Sequence, residues 1–315
     1  MAEKTKPSIT DKNITRRQFL AAASVGMSGL LLGCDVRTNS TVSVPIDPFQ
    51  TVTLGKTGIK SSLIGFGTGF NGYQRQSHMT RMGKEKAISL LHYAYDRGIR
   101  FFDCADLYGT HPYMADVLKS VPREKIVIGS KIWVRQGGIP EDERPDADIV
   151  VDRFRKELNT DYIDLVQLHC MTDADWTDRQ KRQMDILDDL KAKGIIRAHG
   201  VSIHSLDALK ACVTSPWVDI VHTRVNAYGE SMDDKNPDVV AAVVDQIHKA
   251  GKGVIGMKLI GNGKFRNDSE KIDRSLQYVM DMDSVDTMII GFETPEQIDD
   301  YAMRVKKEIK ARQNS

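Results

Sequence analysis

From residue 61 onward the chain repeats one pattern eight times: a short apolar run of the kind that forms a buried strand, then a longer segment with apolar residues at helical spacing. The strand-like runs cover 61–69, 100–105, 126–133, 163–170, 196–204, 217–226, 252–261 and 285–291. The helix-like segments cover 84–96, 111–121, 147–158, 181–193, 206–213, 237–250, 269–282 and 295–311. Ala87, Ile88, Leu91, Ala94 and Tyr95 share one helical face, and Val150, Phe154 and Leu158 share another. Gly98, Gly194 and Gly251 each follow a helix, where the left-handed turn that ends it favours glycine. Eight βα units in succession imply an α/β fold, a (β/α)8 TIM barrel spanning 51–315, with its active site at the C-terminal ends of the strands. A doubly wound parallel sheet is the alternative.

Gly67-Thr68-Gly69-Phe70-Asn71-Gly72 matches the G-x-G-x-x-G spacing of dinucleotide-binding turns. That motif needs a helix opening at its third glycine, whereas 73–83 is polar and irregular. The segment therefore reads as the first loop of the barrel.

The N-terminal segment belongs to no βα unit. Residues 14–34 run from a basic head, Arg16-Arg17, through a weakly apolar stretch to Leu31-Leu32-Gly33-Cys34. The apolar run is too short, and too rich in Gly, Ala and Ser, for a permanent membrane-spanning helix. Arg16-Arg17-Gln18-Phe19-Leu20 resembles a twin-arginine export signal, and Leu31–Cys34 resembles a lipobox. These resemblances imply export of the folded protein by the twin-arginine translocase, with a cofactor already inserted. They also imply lipidation at Cys34 and a membrane anchor on the periplasmic side of the inner membrane. Cleavage without lipidation, or an uncleaved anchor, is the alternative. Residues 35–50, with Thr, Ser, Asn and two prolines, read as a flexible tether.

Within the barrel, side-chain alternation along strands identifies what points inward. Phe101, Asp103 and Ala105 share a face on the second strand; Val127, Gly129 and Lys131 on the third; Leu165, Gln167 and His169 on the fourth. A carboxylate, an ammonium and an imidazole thus converge at one end, with Tyr108 just beyond on the loop. Lys131 neutralises Asp103, whose burial is otherwise costly. Near the Tyr108 hydroxyl, Lys131 is expected to lower the phenol's pKa and make it a general acid for a carbonyl oxygen. His169 can donate to the same oxygen. The set has no good nucleophile and no evident metal cage, so the reducing electrons must arrive as hydride from a cofactor.

The stretches Phe101–Gly109, Ser130–Trp133 and Leu165–Cys170 are similar to those that carry the Asp, Tyr, Lys and His of aldo-keto reductases, and the similarity extends from Leu54 to Tyr301. The resemblance implies an oxidoreductase interconverting carbonyl and alcohol groups, with Tyr108 as acid, Lys131 and Asp103 tuning it and His169 orienting the substrate. It also implies NAD or NADP laid across the strand ends. Candidate cofactor contacts are Ser202, His222, Asn226, Lys258, Gly261, Gly263, Gly291, Glu293, Gln297 and Asp300. Thr294–Gln297 equally reads as a helix cap with proline at the first helical position.

The cofactor end departs from the family pattern. Ile203 follows Ser202 where Asn is usual, and His222 and Val225 replace Gln and Tyr. Gly291, Phe292 and Gln297 stand where NADPH-preferring members carry Lys, Ser and Arg, and Glu293 would repel a 2′-phosphate. Cofactor preference stays open. The chain ends soon after its last helix, leaving the substrate pocket to loops that carry Trp133 and Trp176, an open polar site suited to a sugar.

Two other classes compete. A non-catalytic nucleotide-binding or redox-sensing barrel would tolerate the altered cofactor contacts. A metal-dependent hydrolase is prompted by His169, His204 and His222, but the first strand lacks His-x-His and Gly291 stands where a metal-binding Asp is needed. A net charge of +1 gives no reason to expect nucleic acid, and four cysteines without CxxC spacing imply neither zinc nor a disulfide framework.

Overall fold

A computed structural model describes residues 46–314. The export signal, Cys34 and the tether up to residue 45 lie outside the described residues. Eight parallel strands form the barrel: β1 Ile64–Gly67, β2 Phe101–Asp103, β3 Val127–Ile132, β4 Ile163–Met171, β5 Ile196–Ile203, β6 Ile220–Arg224, β7 Gly253–Met257 and β8 Thr287–Ile290. They pair in chain order, and β8 closes onto β1. One longer helix follows each: α1 Lys84–Arg97, α2 His111–Val117, α3 Ala147–Leu158, α4 Lys181–Ala192, α5 Leu206–Thr214, α6 Pro237–Lys249, α7 Ser269–Asp281 and α8 Pro295–Gln313, with short helices at His78–Arg81 and Trp176–Arg179 ahead of α1 and α4. The (β/α)8 barrel expected from the alternating pattern is the observed fold.

Two boundaries are corrected. The run 61–69 is not one strand: Lys60–Ser62 pairs antiparallel with Thr51–Thr53 as a hairpin, and β1 begins only at Ile64. The tether stops short of residue 50, because Phe49 is 9% exposed against the α1 terminus and the Gln50 carbonyl accepts from Leu63 N–H at 3.0 Å. An aromatic ring and a backbone bond at that point attach the segment to the barrel.

The interior of the barrel is layered. Phe101, Val127, Leu165, Ala198, Ile220, Ile255 and Ile289, one from each of β2 to β8, form an apolar plug that includes Leu54 and Ile59 of the hairpin connection. β1 contributes Gly65 to this layer, where a Cβ would lie 2.5 Å from Ile289 Cδ1. Two residues further along β2, β4 and β6 the inward side chains turn polar, as Asp103, Gln167 and His222, and Lys131 lies four residues beyond Val127; Asp103 sits opposite Gly129, and Lys131 opposite Gln167. Gln167 Nε2 donates to the carbonyls of Val201 (3.0 Å) and Ile220 (3.2 Å), tying β4 across to β5 and β6. The apolar plug closes one end, and the polar residues above it floor an active site at the other.

Candidate active site

At the C-terminal mouth Lys131 and Asp103, 1% and 6% exposed, form a buried ion pair, and Lys131 also donates to the Cys104 carbonyl at 3.1 Å. His222 of β6 completes the cluster, with Nε2 3.1 Å from Asp103 Oδ1. Burial pushes the Asp103 carboxyl up, but Lys131 and His222 outweigh it and hold the acid well below the usual carboxylate range.

Tyr108 ends a single 3-10 turn, Asp106–Tyr108, stopped by Gly109 at φ 68°. A Cβ at Gly109 would lie 1.9 Å from the Arg75 carbonyl oxygen, so both backbone angle and space require glycine there. The turn is anchored by Asp106, which accepts two bonds from Arg153 at 2.8 and 2.7 Å and one from Arg75 at 3.2 Å. The phenol points inward, with its oxygen 3.5 Å from His169 Nε2, and the two rings meet edge to face. The Trp133 ring stands edge-on to His169 at 5.3 Å, forming the opposite wall.

The expected lowering of the Tyr108 pKa is corrected by this geometry. Lys131 Nζ lies over the ring, 5.3 Å from its centroid, with its charge engaged by Asp103. Burial, then the Asp103 charge, raise the phenol well above its ordinary value. Tyr108 is thus a neutral, protonated phenol. Burial, then Lys131, push His169 well below the ordinary imidazole value, so its ring is neutral too, and its Nδ1 is buried without a hydrogen-bond partner among the described residues.

From Asp103 and Tyr108 a cleft of about 410 Å³ runs between the loops after β7, β8 and β1. Lys258, Gly263, Gly291, Glu293, Gln297 and Asp300, proposed from the sequence as cofactor contacts, all line it. Phe70 lines it too, its ring 3.3 Å from where a Cβ at Gly263 would stand. Gln297 Oε1 accepts from Glu293 N–H at 2.7 Å and Thr294 Oγ1 accepts from Gln297 N–H at 3.4 Å, so the helix-cap reading of this segment also holds.

Four of the proposed cofactor residues lie elsewhere. His222 is fully buried beneath the acid–base cluster, against Asp103. Ser202 Oγ accepts from Cys170 N–H at 2.8 Å. Asn226 is consumed by its own loop, donating to the Glu230 and Lys258 carbonyls at 2.7 and 3.2 Å and accepting from Tyr228 and Glu230 N–H at 3.0 and 3.2 Å. Gly261 faces Phe265 and Glu230. Trp176, proposed for the substrate pocket, is 2% exposed, donates to the Ala208 carbonyl at 3.2 Å and packs against Trp217. Its short helix turns the indole under α5.

Arg266, Asn267, Ser269 and Arg304 also line the cleft and were missed by the sequence reading. Ser269 opens α7, and Arg304 reaches back from α8 to Asp300 and Asp273. The polar, basic stretch after Gly263 was the available signal. Among the described residues no three His, Cys, Asp or Glu side chains are grouped to hold a metal ion.

The sequence profile described as Aldo/keto reductase family matches residues 63–275. A Glycine max protein named as an aldo-keto reductase is 26% identical over 224 residues, covering 69% of this chain and 61% of that protein. Human aldo-keto reductase family 1 member A1 is 30% identical over 169 residues, covering 46% of this chain and 47% of that protein. The chain therefore spans about half to three-fifths of these relatives' lengths. Among solved structures, a Klebsiella pneumoniae aldo-keto reductase in complex with NADPH superposes with a TM-score of 0.61 at 16% identity, covering 81% of this chain and 89% of that one, a likeness of fold.

Proposed function

The chain belongs to the aldo/keto reductase family, and we propose that it is an oxidoreductase that reduces a small-molecule carbonyl, or oxidises the corresponding alcohol, with Tyr108 carrying the proton. One observation carries this reading: the Tyr108 hydroxyl, 3.5 Å from His169 Nε2, stands at the inner end of a cleft that leads away towards Arg266 and Arg304. The cleft suits a dinucleotide. Glycine backbone at Gly263 and Gly291 permits close approach, the α7 N-terminus favours an anion, and Arg266 forms no ion pair among the described residues. NAD(P)H, when bound, supplies the hydride.

The residues of this chain handle the rest. The neutral phenol of Tyr108 holds its proton at neutral pH and gives it to the carbonyl oxygen as charge builds there; in the reverse direction it takes the proton back. Neutral His169 donates a second hydrogen bond to that oxygen and fixes its direction. Lys131, its charge engaged by Asp103, stands 5.3 Å from the centre of the Tyr108 ring and closes the floor beneath it.

In this reading the protein is exported by the twin-arginine route, anchored through a lipidated Cys34 and retains its cofactor tightly, with a polar substrate such as a sugar. Arg16-Arg17 and Leu31–Cys34 support it. Replacing both arginines by lysine should leave the protein in the cytoplasmic fraction.

Tyr108→Phe tests the activity. Turnover should fall by about 10²- to 10⁴-fold while NADP⁺ still binds. Turnover that survives the change would leave a non-catalytic nucleotide-binding role as the better account.

A further inference from the structure

At the barrel mouth four strand ends bring basic side chains together, and one of them, Lys258, also lines the dinucleotide cleft. Arg135, on the loop after β3, donates from Nη1 to the Cys170 carbonyl at 3.0 Å and to Cys170 Sγ at 3.2 Å. Lys258, after β7, donates to Asn262 Oδ1 at 2.8 Å. Neither meets a carboxylate among the described residues. His204, after β5, donates its backbone N–H to the Met171 carbonyl at 2.8 Å, and its Nδ1 is buried without a hydrogen-bond partner among the described residues. Arg224, at the end of β6, is paired with Asp233.

The acids near this arc are already engaged: Asp103 by Lys131 and His222, Asp233 by Arg224, and Glu230 by Lys264. The side next to Tyr108, His169 and Trp133 therefore carries uncompensated positive charge. Two of the residues that shape it, Cys170 (φ 65°) and Lys258 (φ 63°), hold left-handed backbone that non-glycine residues adopt at a cost. Burial, then Arg224, Lys258, Arg135 and Lys131, push His204 down to about 3, which is the effect of several cations acting on one imidazole.

We propose that the carbonyl substrate carries a carboxylate, held by Arg135, His204 and Lys258 while its carbonyl oxygen meets Tyr108 and His169. This rests on the hydride-transfer reading and names the substrate class within it. Lys258 is a half-buried cation without a counter-ion, Arg135 an exposed one, and His204 a neutral donor beside them; a carboxylate arriving with the substrate supplies the missing charge and fixes which way the carbonyl points. The anion is the substrate's own and not the cofactor's diphosphate, because Arg135 and His204 lie outside the dinucleotide cleft.

The full chain loaded with NADP⁺ is titrated calorimetrically with benzoate and with benzamide. With NADPH it is assayed on 4-carboxybenzaldehyde and on 4-methylbenzaldehyde. Benzoate should bind about tenfold or more tightly than benzamide, and the carboxylated aldehyde should show a similar advantage in kcat/KM. Arg135→Gln should bring both ratios towards one, chiefly through KM, and Arg135→Lys should restore part of them. Equal binding of the two titrants, a preference that persists in Arg135→Gln, or loss of benzoate binding when NADP⁺ is present would each overturn the proposal. If neither aldehyde turns over while benzoate binds selectively and Arg135→Gln abolishes that binding, the anion site stands and the hydride-transfer reading fails.

Discussion

Gly69 lies against the flat of the Tyr108 ring: a Cβ at that position would sit 2.2 Å from ring atoms Cε2 and Cζ. Gly72, three residues further along the same loop, would place its Cβ 2.5 Å from Cδ1. The Gly67–Gly72 segment, which resembles a dinucleotide fingerprint by spacing alone, is thus a saddle for the phenol.

Gly69→Ala should therefore act on catalysis through the position of one ring. No flexible side-chain tip can yield, so either the loop or Tyr108 must shift by several tenths of an ångström. Misplacement on the scale of an ångström costs about 10²-fold in rate. The kcat/KM of Gly69→Ala should drop by about that factor, with NADP⁺ affinity changing much less. Wild-type kcat/KM in this variant would show that the ring position is not under the control of this loop.

Asp103→Asn isolates the ion pair. It leaves the Lys131 ammonium buried with neutral acceptors alone, the Cys104 carbonyl and the introduced amide oxygen, and no counter-charge. Removing one member of a buried pair costs about 3–5 kcal/mol, whereas removing both is far cheaper. Urea unfolding should show a loss of that size for Asp103→Asn and substantial recovery in Asp103→Asn with Lys131→Met. Turnover should recover in neither. Equal stability of the single variant and the wild type would mean that the pair contributes little.

Acid should destabilise the fold from about pH 6.5 downward. His169, His204 and His222 are all depressed below the ordinary imidazole value, with burial the leading cause in each. The unfolded chain takes up protons near the ordinary value while the folded chain does not, so the stabilising contribution is complete above that pH and is lost as pH falls. At pH 5 linkage gives about 2 kcal/mol for His204, which is held down to about 3. Asp103, also depressed, adds a further loss below about pH 4, where its unfolded form protonates. Urea midpoints between pH 8 and pH 4 measure this. A flat profile down to pH 5 would mean that the imidazoles are accessible to protons in the folded state.

The barrel was readable because its signals are local and repeated. Apolar spacing and helix-stopping glycines placed α3 at 147–158 and most other element ends to within a residue or two. The hairpin at 51–62 was not separated from β1, since an antiparallel edge and a buried parallel strand share the same apolar, Gly-containing composition. Asp103, Lys131 and His169 followed from strand alternation alone. Side chains whose role depends on packing did not follow: Trp176 reads as a pocket wall until α5 is placed over it, and Asn226 reads as a ligand contact until its loop is seen to use it fully. The Tyr108 pKa was misjudged for a related reason, since the Lys131 charge acts chiefly on Asp103.

Arg266 addresses the cofactor preference that the sequence left open. Glu293 stands in the cleft and disfavours a 2′-phosphate, yet its oxygen is 3.4 Å from His78 Nε2 and Arg266 faces the same space. Arg304 is already engaged by Asp300 and Asp273, so of these two arginines Arg266 is the one free to meet an added phosphate. Arg266→Gln should weaken NADPH binding by about tenfold, the scale of a charge-assisted hydrogen bond, and NADH binding by clearly less. Fluorescence titration of both nucleotides against wild type and variant decides it. Equal losses would place Arg266 on the diphosphate, and no loss for either would remove it from the cofactor site.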